Sequence, residues 1–332
     1  MTEEKIRPSH LMRESDKIQK REIKKILAYS NKFLEVPCPA CESDSFSFFF
    51  KKDGFTFVLC KKCETVFINP RPDFDILRDF YENSELLKYW NEKIFTDSED
   101  YRRCQIFIPR AEKVIALCKI HNASNKVFVD IGAGFGTFCE EVIKLSFFDK
   151  VMAVEPSSYL AKTCRTKGIN VIEKPIENVE LGEASVITSF ELIEHLFRPK
   201  HFLLACKNRL VKGGLFILST PNVKGFEMSV LGKLSNGFRG PNHLNYFHPK
   251  SLCHLLEYVG FEIVEVLTPG KLDAELVRNK IQKGVLNSLS CPGLNYFLID
   301  NWKNVGKTFQ RFISDNKLSS HLWVVVKKID AK

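Results

Sequence analysis

The sequence has no long apolar run, no internal repeat and no low-complexity segment. Because a membrane-spanning helix needs about 18 or more consecutive apolar residues, no transmembrane helix is predicted. The opening stretch, MTEEKIRPSH, is charged and no apolar segment follows it, so no secretory signal peptide is predicted. Apolar residues make up 44% of the chain, which excludes disorder as the main state. We therefore expect a globular cytoplasmic protein.

A disulfide framework is also not predicted. The chain has 11 cysteines, an odd number, and seven of them are scattered singly. Scattered cysteines in a chain without an export signal are typical of reduced core residues.

The other four cysteines follow a metal-binding pattern. Cys38-x-x-Cys41 is followed by 18 residues and then by Cys60-x-x-Cys63. Two such pairs bring four thiolates to one tetrahedral centre, which predicts a zinc ribbon. The alternative, two redox pairs, is disfavoured because neither pair lies between a strand and a helix. Since all four ligands come from the protein, the predicted role of the zinc is structural: it supplies folding energy to a small β-rich module.

The net charge of +9 comes largely from the two ends of the chain. A positive balance of this size suits an anionic substrate, a nucleic acid or simply a solvated basic surface.

After residue 122, strand and helix patterns alternate. Strand-like runs such as KVFVDIG, KVMAVEPS and GLFILSTPN are separated by helical segments, and RPKHFLLACKNRLVKGG is predicted to be a helix ended by Gly213 and Gly214. Repeated βαβ units predict an α/β fold with a doubly wound, Rossmann-like parallel sheet. The predicted organisation is a helical arm at 1–35, a zinc ribbon at 36–72, a helical linker at 73–122 and a catalytic domain at 123–332 with insertions at 222–247 and 273–318.

A glycine-rich loop follows the first strand of this domain. Gly132, Gly134 and Gly136 come directly after Asp130, and Glu155 ends the next strand. Glycines let a ligand approach the backbone, and an acid at the second strand end lies where a ribose diol would bind. The arrangement predicts a cofactor that contains adenosine.

The spacing D-x-G-x-G-x-G differs from the dinucleotide pattern and resembles motif I of the class I S-adenosylmethionine-dependent methyltransferases. VMAVEPS, ITSFELIEHL and LVKGGLFILSTPN resemble later motifs of that family, in the same order. The resemblance implies a seven-stranded methyltransferase sheet and S-adenosylmethionine as cofactor. It implies that the methionine half is lined by Asp130, Gly132, Gly134 and Gly136. It further implies that Glu155 holds the ribose hydroxyls, with Phe190 and Glu191 beside the methionine or the sulfonium.

The stretch FELIEHLF places Glu191, Glu194 and His195 within five positions. On a helix these side chains would share one face, and an acidic first helical turn with a surface Glu–His pair is one interpretation. The E-x-x-E-H pattern also resembles the divalent-metal motif of small-RNA 2′-O-methyltransferases and some ubiquinone-pathway O-methyltransferases, which add a later histidine. Here His243 is the candidate. In the other functional interpretation no metal is needed, and His195 or His243 is a general base.

Arginines and aromatic residues precede the catalytic domain, and Arg103 and Arg110 are among them. They suit the recognition of phosphate and sugars. A packing helix with solvated arginines is the alternative.

The sequence thus predicts an S-adenosylmethionine-dependent methyltransferase with a structural zinc. The N-terminal part resembles a bacterial subgroup with a zinc ribbon that is often linked to sugar and polysaccharide pathways, so we expect a small-molecule acceptor such as a sugar or nucleotide-sugar hydroxyl. An RNA ribose 2′-hydroxyl is the second hypothesis. A catalytically silent cofactor-binding scaffold is the third, and the intact glycine loop argues against it.

Overall fold

A computed structural model describes residues 1–180, 182–287 and 291–329. Small parts of the predicted catalytic domain and of its insertion 273–318 therefore lie outside the described residues. The chain divides into two compact units. The first comprises 1–98, 221–251 and 266–323, and the second comprises 99–220, 252–265 and 324–332. The finer boundaries predicted at residues 35, 72 and 122 stay predictions.

The strands are, in chain order, β1 Phe46–Lys52, β2 Phe55–Cys60, β3 Val66–Ile68, β4 Val127–Ile131, β5 Lys150–Val154, β6 Asn170–Ile172, β7 Ala184–Phe190, β8 Leu210–Pro221, β9 Asn245–Tyr246, β10 Phe261–Leu267 and β11 His321–Lys328. The α-helices are α1 Glu3–Ile6, α2 Ser9–Leu27, α3 Phe74–Asn83, α4 Glu85–Tyr89, α5 Glu99–Arg102, α6 Ile108–Ile120, α7 Thr137–Lys144, α8 Ser158–Thr166, α9 Pro199–Arg209, α10 Phe226–Leu231, α11 Pro249–Val259, α12 Asp273–Gln282, α13 Pro292–Asn295 and α14 Trp302–Asp315. Among the described residues, no helix combines the length and the apolar character that crossing a bilayer requires.

The sheet of the second unit has seven strands within the described residues, in the order β10-β11-β8-β7-β4-β5-β6. The pairings β8–β7, β7–β4, β4–β5 and β5–β6 are parallel. A parallel sheet covered on both faces needs apolar residues at consecutive positions. The strands supply them, with fully buried side chains at Phe128, Val129, Ala153, Val154, Ile187, Leu215 and Phe216. The predicted α/β fold with a seven-stranded Rossmann-like sheet is confirmed.

One predicted element boundary is wrong. Helix α9 ends at Arg209 and β8 starts at the next residue, so Gly213 and Gly214 lie inside the strand and not beyond the helix end. The register between β7 and β8 shifts here, because Ala184 pairs with Leu210 while Val186 pairs with Leu215. Gly213 has a φ of +73°. The two glycines therefore form a bulge, where a side chain on Gly214 would crowd the carbonyl oxygen of Ser185.

The first unit contains a smaller antiparallel sheet with the order β1-β2-β3-β9. The first three strands come from the predicted zinc ribbon, whereas β9 comes from the predicted insertion 222–247 and pairs with β3. Aromatic rings form the core of this sheet: Phe57, Phe238 and Tyr246 are buried together. A strand of two residues has no sequence pattern of its own, so its place in the sheet depends on contacts that only the fold creates.

Helices make up much of the rest of the first unit among the described residues. The predicted amphipathic helix in the N-terminal arm is α2, and Ile18, Ile23 and Ile26 are its buried apolar residues. A separate apolar cluster joins α10, α12 and α14 and includes Leu231, Val277 and Ile313.

Candidate active site and cysteine cluster

The glycine-rich loop leaves β4 at the carboxyl edge of the parallel sheet, where open α/β folds bind ligands. Gly132, Gly134 and Gly136 have φ values of +76°, +57° and +72°, a conformation that glycine adopts without strain. A side chain at Gly136 would collide with Ile169, whereas a Cβ at Gly134 would meet nothing within 4 Å. Gly136 is thus needed for packing, and Gly134 borders open space.

Glu155 ties this loop to the end of the neighbouring strand. Its Oε2 accepts a hydrogen bond from the Gly134 N–H at 2.9 Å, and its Oε1 accepts one from the Ser157 N–H at 2.9 Å. The side chain is buried, and burial raises the pKa of this carboxyl while the two N–H donors lower it. Glu155 therefore fixes the loop conformation as well as presenting a carboxylate at the strand end.

Asp130 lies on β4 and is only 4% exposed. Thr188 Oγ1 donates to its Oδ1 at 2.7 Å, and the Cys139 thiol lies 3.7 Å from its Oδ2. Burial raises the pKa of Asp130 to about 7, although Thr188 and the Arg110 guanidinium lower it. Asp130 is thus a buried carboxyl. Burial favours its neutral form, whereas Thr188 and Arg110 favour its charged form.

Phe190 ends β7, and a half-buried arginine covers its ring. The Arg110 guanidinium carbon is 4.3 Å from the ring centroid, a cation–π geometry. Phe138 packs against the same ring edge to face, with 5.1 Å between centroids. Burial lowers the pKa of Arg110, whereas the charges of Glu191 and Asp130 raise it. Arg110 is therefore placed near the carboxyl ends of β4 and β7.

Glu191 follows Phe190 in the left-handed region, with a φ of +54°. Its N–H donates to the Ser219 carbonyl at 3.1 Å, and the Ser219 hydroxyl donates to its Oε1 at 2.7 Å. Ile193–His195 forms only a 3₁₀ turn. The interpretation in which Glu191, Glu194 and His195 share one helical face is therefore wrong, because Glu191 is in the left-handed region and only a 3₁₀ turn follows it.

Glu194 and Glu191 differ sharply in environment. Glu191 is exposed, whereas Glu194 is 1% exposed and its Oε2 accepts from the Thr220 hydroxyl at 2.9 Å. Burial, and then the negative charge of Glu191, raises the pKa of Glu194 well above its usual range. His195 Nε2 lies 3.7 Å from Glu194 Oε1. The pair brings a half-buried imidazole and a buried carboxyl to the end of the sheet.

His243 belongs to the first unit, between α10 and β9. It is half-buried, and its Nδ1 lies 3.1 Å from the Gly237 carbonyl oxygen. The prediction that Glu191, Glu194, His195 and His243 form one metal site stays a prediction.

The four patterned cysteines of the first unit converge. Their Sγ atoms all lie within 4.8 Å of one another, with 3.5 Å between Cys38 and Cys63 and 3.6 Å between Cys41 and Cys60. Four thiolates about 2.3 Å from one tetrahedral ion would have their sulfurs about 3.8 Å apart. The hydrogen bond with Cys38 lowers the pKa of the Cys63 thiol to about 4. The donor set and its spacing therefore fit a single tetrahedral metal ion.

Arg103, which the sequence marked for phosphate recognition, is engaged in ion pairs. Its guanidinium lies 2.5 Å from Glu141, 3.0 Å from Glu140 and 3.2 Å from Glu99. These contacts join α5, α7 and the segment between them, so they support the packing alternative.

Sequence reasoning did not identify Thr188, Ser219 and Thr220. These hydroxyls are the partners of Asp130, Glu191 and Glu194 respectively. A signal was present, because each lies near the carboxyl end of an otherwise apolar strand, in the stretches ITSF and LSTP. Hydroxyls near the ends of apolar strands are therefore candidates for holding the carboxyls of the site.

Comparisons with known proteins identify the family. A family model described as a methyltransferase domain matches residues 99–266, about half of the chain. The chain is 31% identical over 115 residues to the ubiquinone biosynthesis O-methyltransferase of Caulobacter sp. (strain K31). This alignment covers 31% of this chain and 45% of that protein. It is 26% identical over 165 residues to a probable S-adenosylmethionine-dependent methyltransferase of Mycolicibacterium smegmatis, which covers 48% of this chain and 60% of that protein.

Among solved structures, an S-adenosylmethionine-dependent methyltransferase from Clostridium acetobutylicum matches with 12% identity and a TM-score of 0.47, over 74% of this chain and 98% of that one. The chain spans only about half the length of the curated relatives, 45% and 60% in the two alignments given above. Because the family model matches half of its residues, the chain belongs to the methyltransferase-domain family.

Proposed function

We propose that the chain is an S-adenosylmethionine-dependent methyltransferase that acts on a hydroxyl of a small molecule. One observation carries the proposal. The glycine loop at the carboxyl edge of the sheet is tied to Glu155 through the Gly134 N–H, while the position of a Gly134 Cβ borders open space. This combination provides a carboxylate and a bare backbone next to each other, which an adenosine-containing ligand requires.

The proposed cofactor-binding residues on the loop are Asp130, Gly132, Gly134, Gly136 and Glu155. Each Glu155 oxygen accepts one backbone N–H. A carboxylate oxygen has two lone-pair sites, so both oxygens keep acceptor capacity for the ribose hydroxyls. Asp130 precedes the loop on β4, accepts from Thr188 and interacts electrostatically with Arg110.

Phe190, Glu191 and Arg110 are the proposed residues for the methionine half. S-adenosylmethionine, when bound, supplies a methyl group attached to a positively charged sulfur. Glu191 offers an exposed carboxylate that suits a positive ammonium or sulfonium group. The Arg110 guanidinium, held over the Phe190 ring, offers donors for a carboxylate.

His195 is the proposed general base for the acceptor hydroxyl. Its half-buried imidazole lies at the end of the sheet, with Nε2 3.7 Å from Glu194 Oε1, and this supports the role because a base must lie where an acceptor would meet the cofactor's methyl group. The alternative role remains a divalent metal site with Glu191, Glu194, His195 and His243 as ligands. A divalent cation would offset the cost of burying Glu194, and it would lower the pKa of an acceptor hydroxyl.

The acceptor is proposed to be an oxygen atom because a relative carries the name ubiquinone biosynthesis O-methyltransferase. A sugar or nucleotide-sugar hydroxyl is the first class to test, on the resemblance of the N-terminal part. An RNA ribose hydroxyl is the second, supported by the net charge of +9 and the cysteine cluster. A silent scaffold would have no need of the loop geometry at Gly134 and Glu155. The cytoplasmic location stays a prediction.

Cys38, Cys41, Cys60 and Cys63 are the proposed ligands of one structural zinc ion. The convergence of their four Sγ atoms supports this assignment. Because all four ligands come from the protein, the zinc would contribute folding energy and no open coordination position.

Calorimetry and a transfer assay on the full chain test the proposal. We expect S-adenosylmethionine and S-adenosylhomocysteine to bind, and NAD not to bind. Transfer of a labelled methyl group is then measured with nucleotide-sugars and with short RNA as acceptors. Label in the nucleotide-sugar fraction supports the first acceptor class and label in RNA the second. Cofactor binding without transfer to any acceptor supports the scaffold, and absence of cofactor binding contradicts the whole assignment.

A further inference from the structure

We propose that the cysteine cluster of the first unit is a positioning device for His243. A series of contacts connects Cys63 to His243. It runs from Cys63 to His248, through the pairing of β3 with β9 to Tyr246, and from Tyr246 to His243. The inference rests on the proposed function in one respect, since a base or ligand role gives the position of His243 its purpose. All of these contacts lie within the first unit.

The first link joins the second cysteine pair to the segment after β9. His248 is 2% exposed, and its Nε2 lies 2.8 Å from the Cys63 carbonyl oxygen. A carbonyl oxygen only accepts, so the Nε2–H of His248 must be the donor. The carbonyl belongs to a proposed zinc ligand, so the metal would fix the acceptor of this hydrogen bond. Groups that hydrogen-bond to metal-ligating residues commonly have a fixed orientation relative to the metal site.

The second link is the pairing of β9 with β3. Tyr246 lies opposite Val66 and Asn245 opposite Phe67, and the Ile68 N–H donates to the Leu244 carbonyl at 3.0 Å. A strand of two residues is not stable by itself. It therefore needs the anchors on its two sides, of which His248 is one.

The third link is Tyr246, whose side chain is fully buried among Phe57 and Phe238. Its hydroxyl donates to the His243 carbonyl at 3.1 Å and accepts from the Arg239 N–H at 3.0 Å. The His243 N–H in turn donates to the Arg239 carbonyl at 2.8 Å. The Tyr246 hydroxyl thus closes the turn that carries His243.

The last link fixes the imidazole itself. His243 Nδ1 lies 3.1 Å from the Gly237 carbonyl oxygen, which can only accept. Nδ1 therefore carries a proton, and in the neutral imidazole the lone pair is on Nε2. This is the tautomer that a base or a metal ligand acting through Nε2 requires, and a partner on the other ring nitrogen is the usual means of selecting it.

The test uses the full chain labelled with ¹⁵N-histidine, in which NMR reports the tautomer of each imidazole. With zinc bound, we expect His243 to be a single Nδ1–H tautomer. After zinc is withdrawn with a chelator, we expect a mixture of both tautomers at His243, while the amide signals of the seven-stranded sheet keep their positions. An unchanged His243 tautomer in the zinc-free chain would overturn the proposal.

Variants that keep zinc decide the case if zinc withdrawal unfolds the first unit. Tyr246→Phe and His248→Leu should each give mixed tautomers at His243 with zinc content unchanged. His248→Gln keeps a hydrogen-bond donor, so this variant should retain the single tautomer. Ile313→Val, in the separate cluster of α12 and α14, is the matched control and should leave the tautomer unchanged.

If Tyr246→Phe and His248→Leu both retain the single tautomer, the proposal is wrong. Failure of the proposed function looks different, since methyl transfer would then be absent from the unaltered chain whatever the His243 spectrum shows.

Discussion

The two sheets of this protein are stabilised by different means. The seven-stranded sheet buries apolar side chains on both faces, with residues such as Phe128 and Phe216 fully enclosed. The four-stranded sheet is smaller, and its outer strand β1 leaves Phe48 65% exposed and Phe49 43% exposed. A small sheet that cannot enclose all of its aromatic residues gains stability from a cross-link, and the proposed zinc ion, bound by the converging cysteines, would supply one.

The polar groups of the two sheets also differ in arrangement. In the small sheet four thiols lie close together, so an ion bound to all four would have no open coordination position. At the end of the large sheet the carboxyls of Asp130, Glu155 and Glu194 each have a hydroxyl or amide donor. The first arrangement is closed and suits a structural ion, whereas the second presents acceptors and donors along the strand ends where a ligand binds. The comparison implies that damage to the small sheet should leave cofactor binding at the large sheet intact, and that damage to the cofactor site should leave the zinc content unchanged.

Loss of one cysteine ligand should have the largest effect. We expect Cys41→Ser to abolish the binding of about one zinc per chain and to lower the free energy of unfolding of the first unit by several kcal/mol, because metal affinity here is folding energy. Elemental analysis and denaturant unfolding measure the two quantities. Cys291→Ser, at an exposed single cysteine, is the control. A Cys41→Ser chain with full zinc content and unchanged stability would mean that the cluster is not a metal site.

His195→Ala should lower kcat by about 10²–10⁴-fold if the imidazole is the general base. His201→Ala, at an exposed histidine on α9, is the control and should leave kcat unchanged. A chelator treatment that preserves the structural zinc separates the two versions of the site. Unchanged activity supports the base, and loss that Mg²⁺ or Mn²⁺ restores supports the metal. A His195→Ala enzyme as active as the His201→Ala control would exclude both roles for His195.

The raised pKa of Asp130 predicts that the stability of the large sheet depends on pH. Its pKa of about 7 exceeds the ordinary value of about 4, so between these pH values the folded chain keeps a proton that the unfolded chain releases. The folded state then binds more protons, and stability falls as pH rises through this window. Asp130→Asn should therefore gain stability relative to the unaltered chain from pH 4 to pH 7, by up to about 4 kcal/mol at one pKa unit per ~1.4 kcal/mol, and should gain no more above it.

Chemical denaturation at several pH values measures this difference. Asp149→Asn, at an exposed aspartate that precedes β5, is the control for the loss of a negative charge. A stability difference for Asp130→Asn that does not change with pH would contradict the buried protonated carboxyl.

Glu155→Ala should have the smallest of these effects, a loss of roughly 1.5–3 kcal/mol in cofactor binding, as for hydrogen bonds to a charged group. The zinc content of the small sheet should not change. Glu173→Ala, at a carboxylate just past the next strand that pairs with Arg165, is the matched control. Equal cofactor affinity in the Glu155→Ala and Glu173→Ala chains would place the ribose site elsewhere.

Residues that act through local patterns could be predicted from the sequence, and residues that act through distant partners could not. The cysteine pairs and the glycine loop have fixed spacings, and apolar strands alternate with helices over short distances, so the sheet and the cysteine cluster could be derived. The left-handed turn at Glu191 could not, because its Ser219 partner is 28 positions away. Strand β9 pairs with β3 across more than 170 residues, and Arg110 reaches Phe190 across 80, so neither has a local signal.

The central claim is that the open space beside Gly134 receives an adenosine cofactor. The most direct measurement is calorimetric titration of S-adenosylhomocysteine into Gly134→Val and Gly168→Val chains. Both glycines have positive φ, and neither has an atom within 4 Å of its Cβ position, so the two substitutions impose the same kind of backbone strain. The account predicts that Gly134→Val abolishes binding because the side chain occupies the ligand's path, while Gly168→Val binds like the unaltered chain. Equal affinity in the two variants would contradict it.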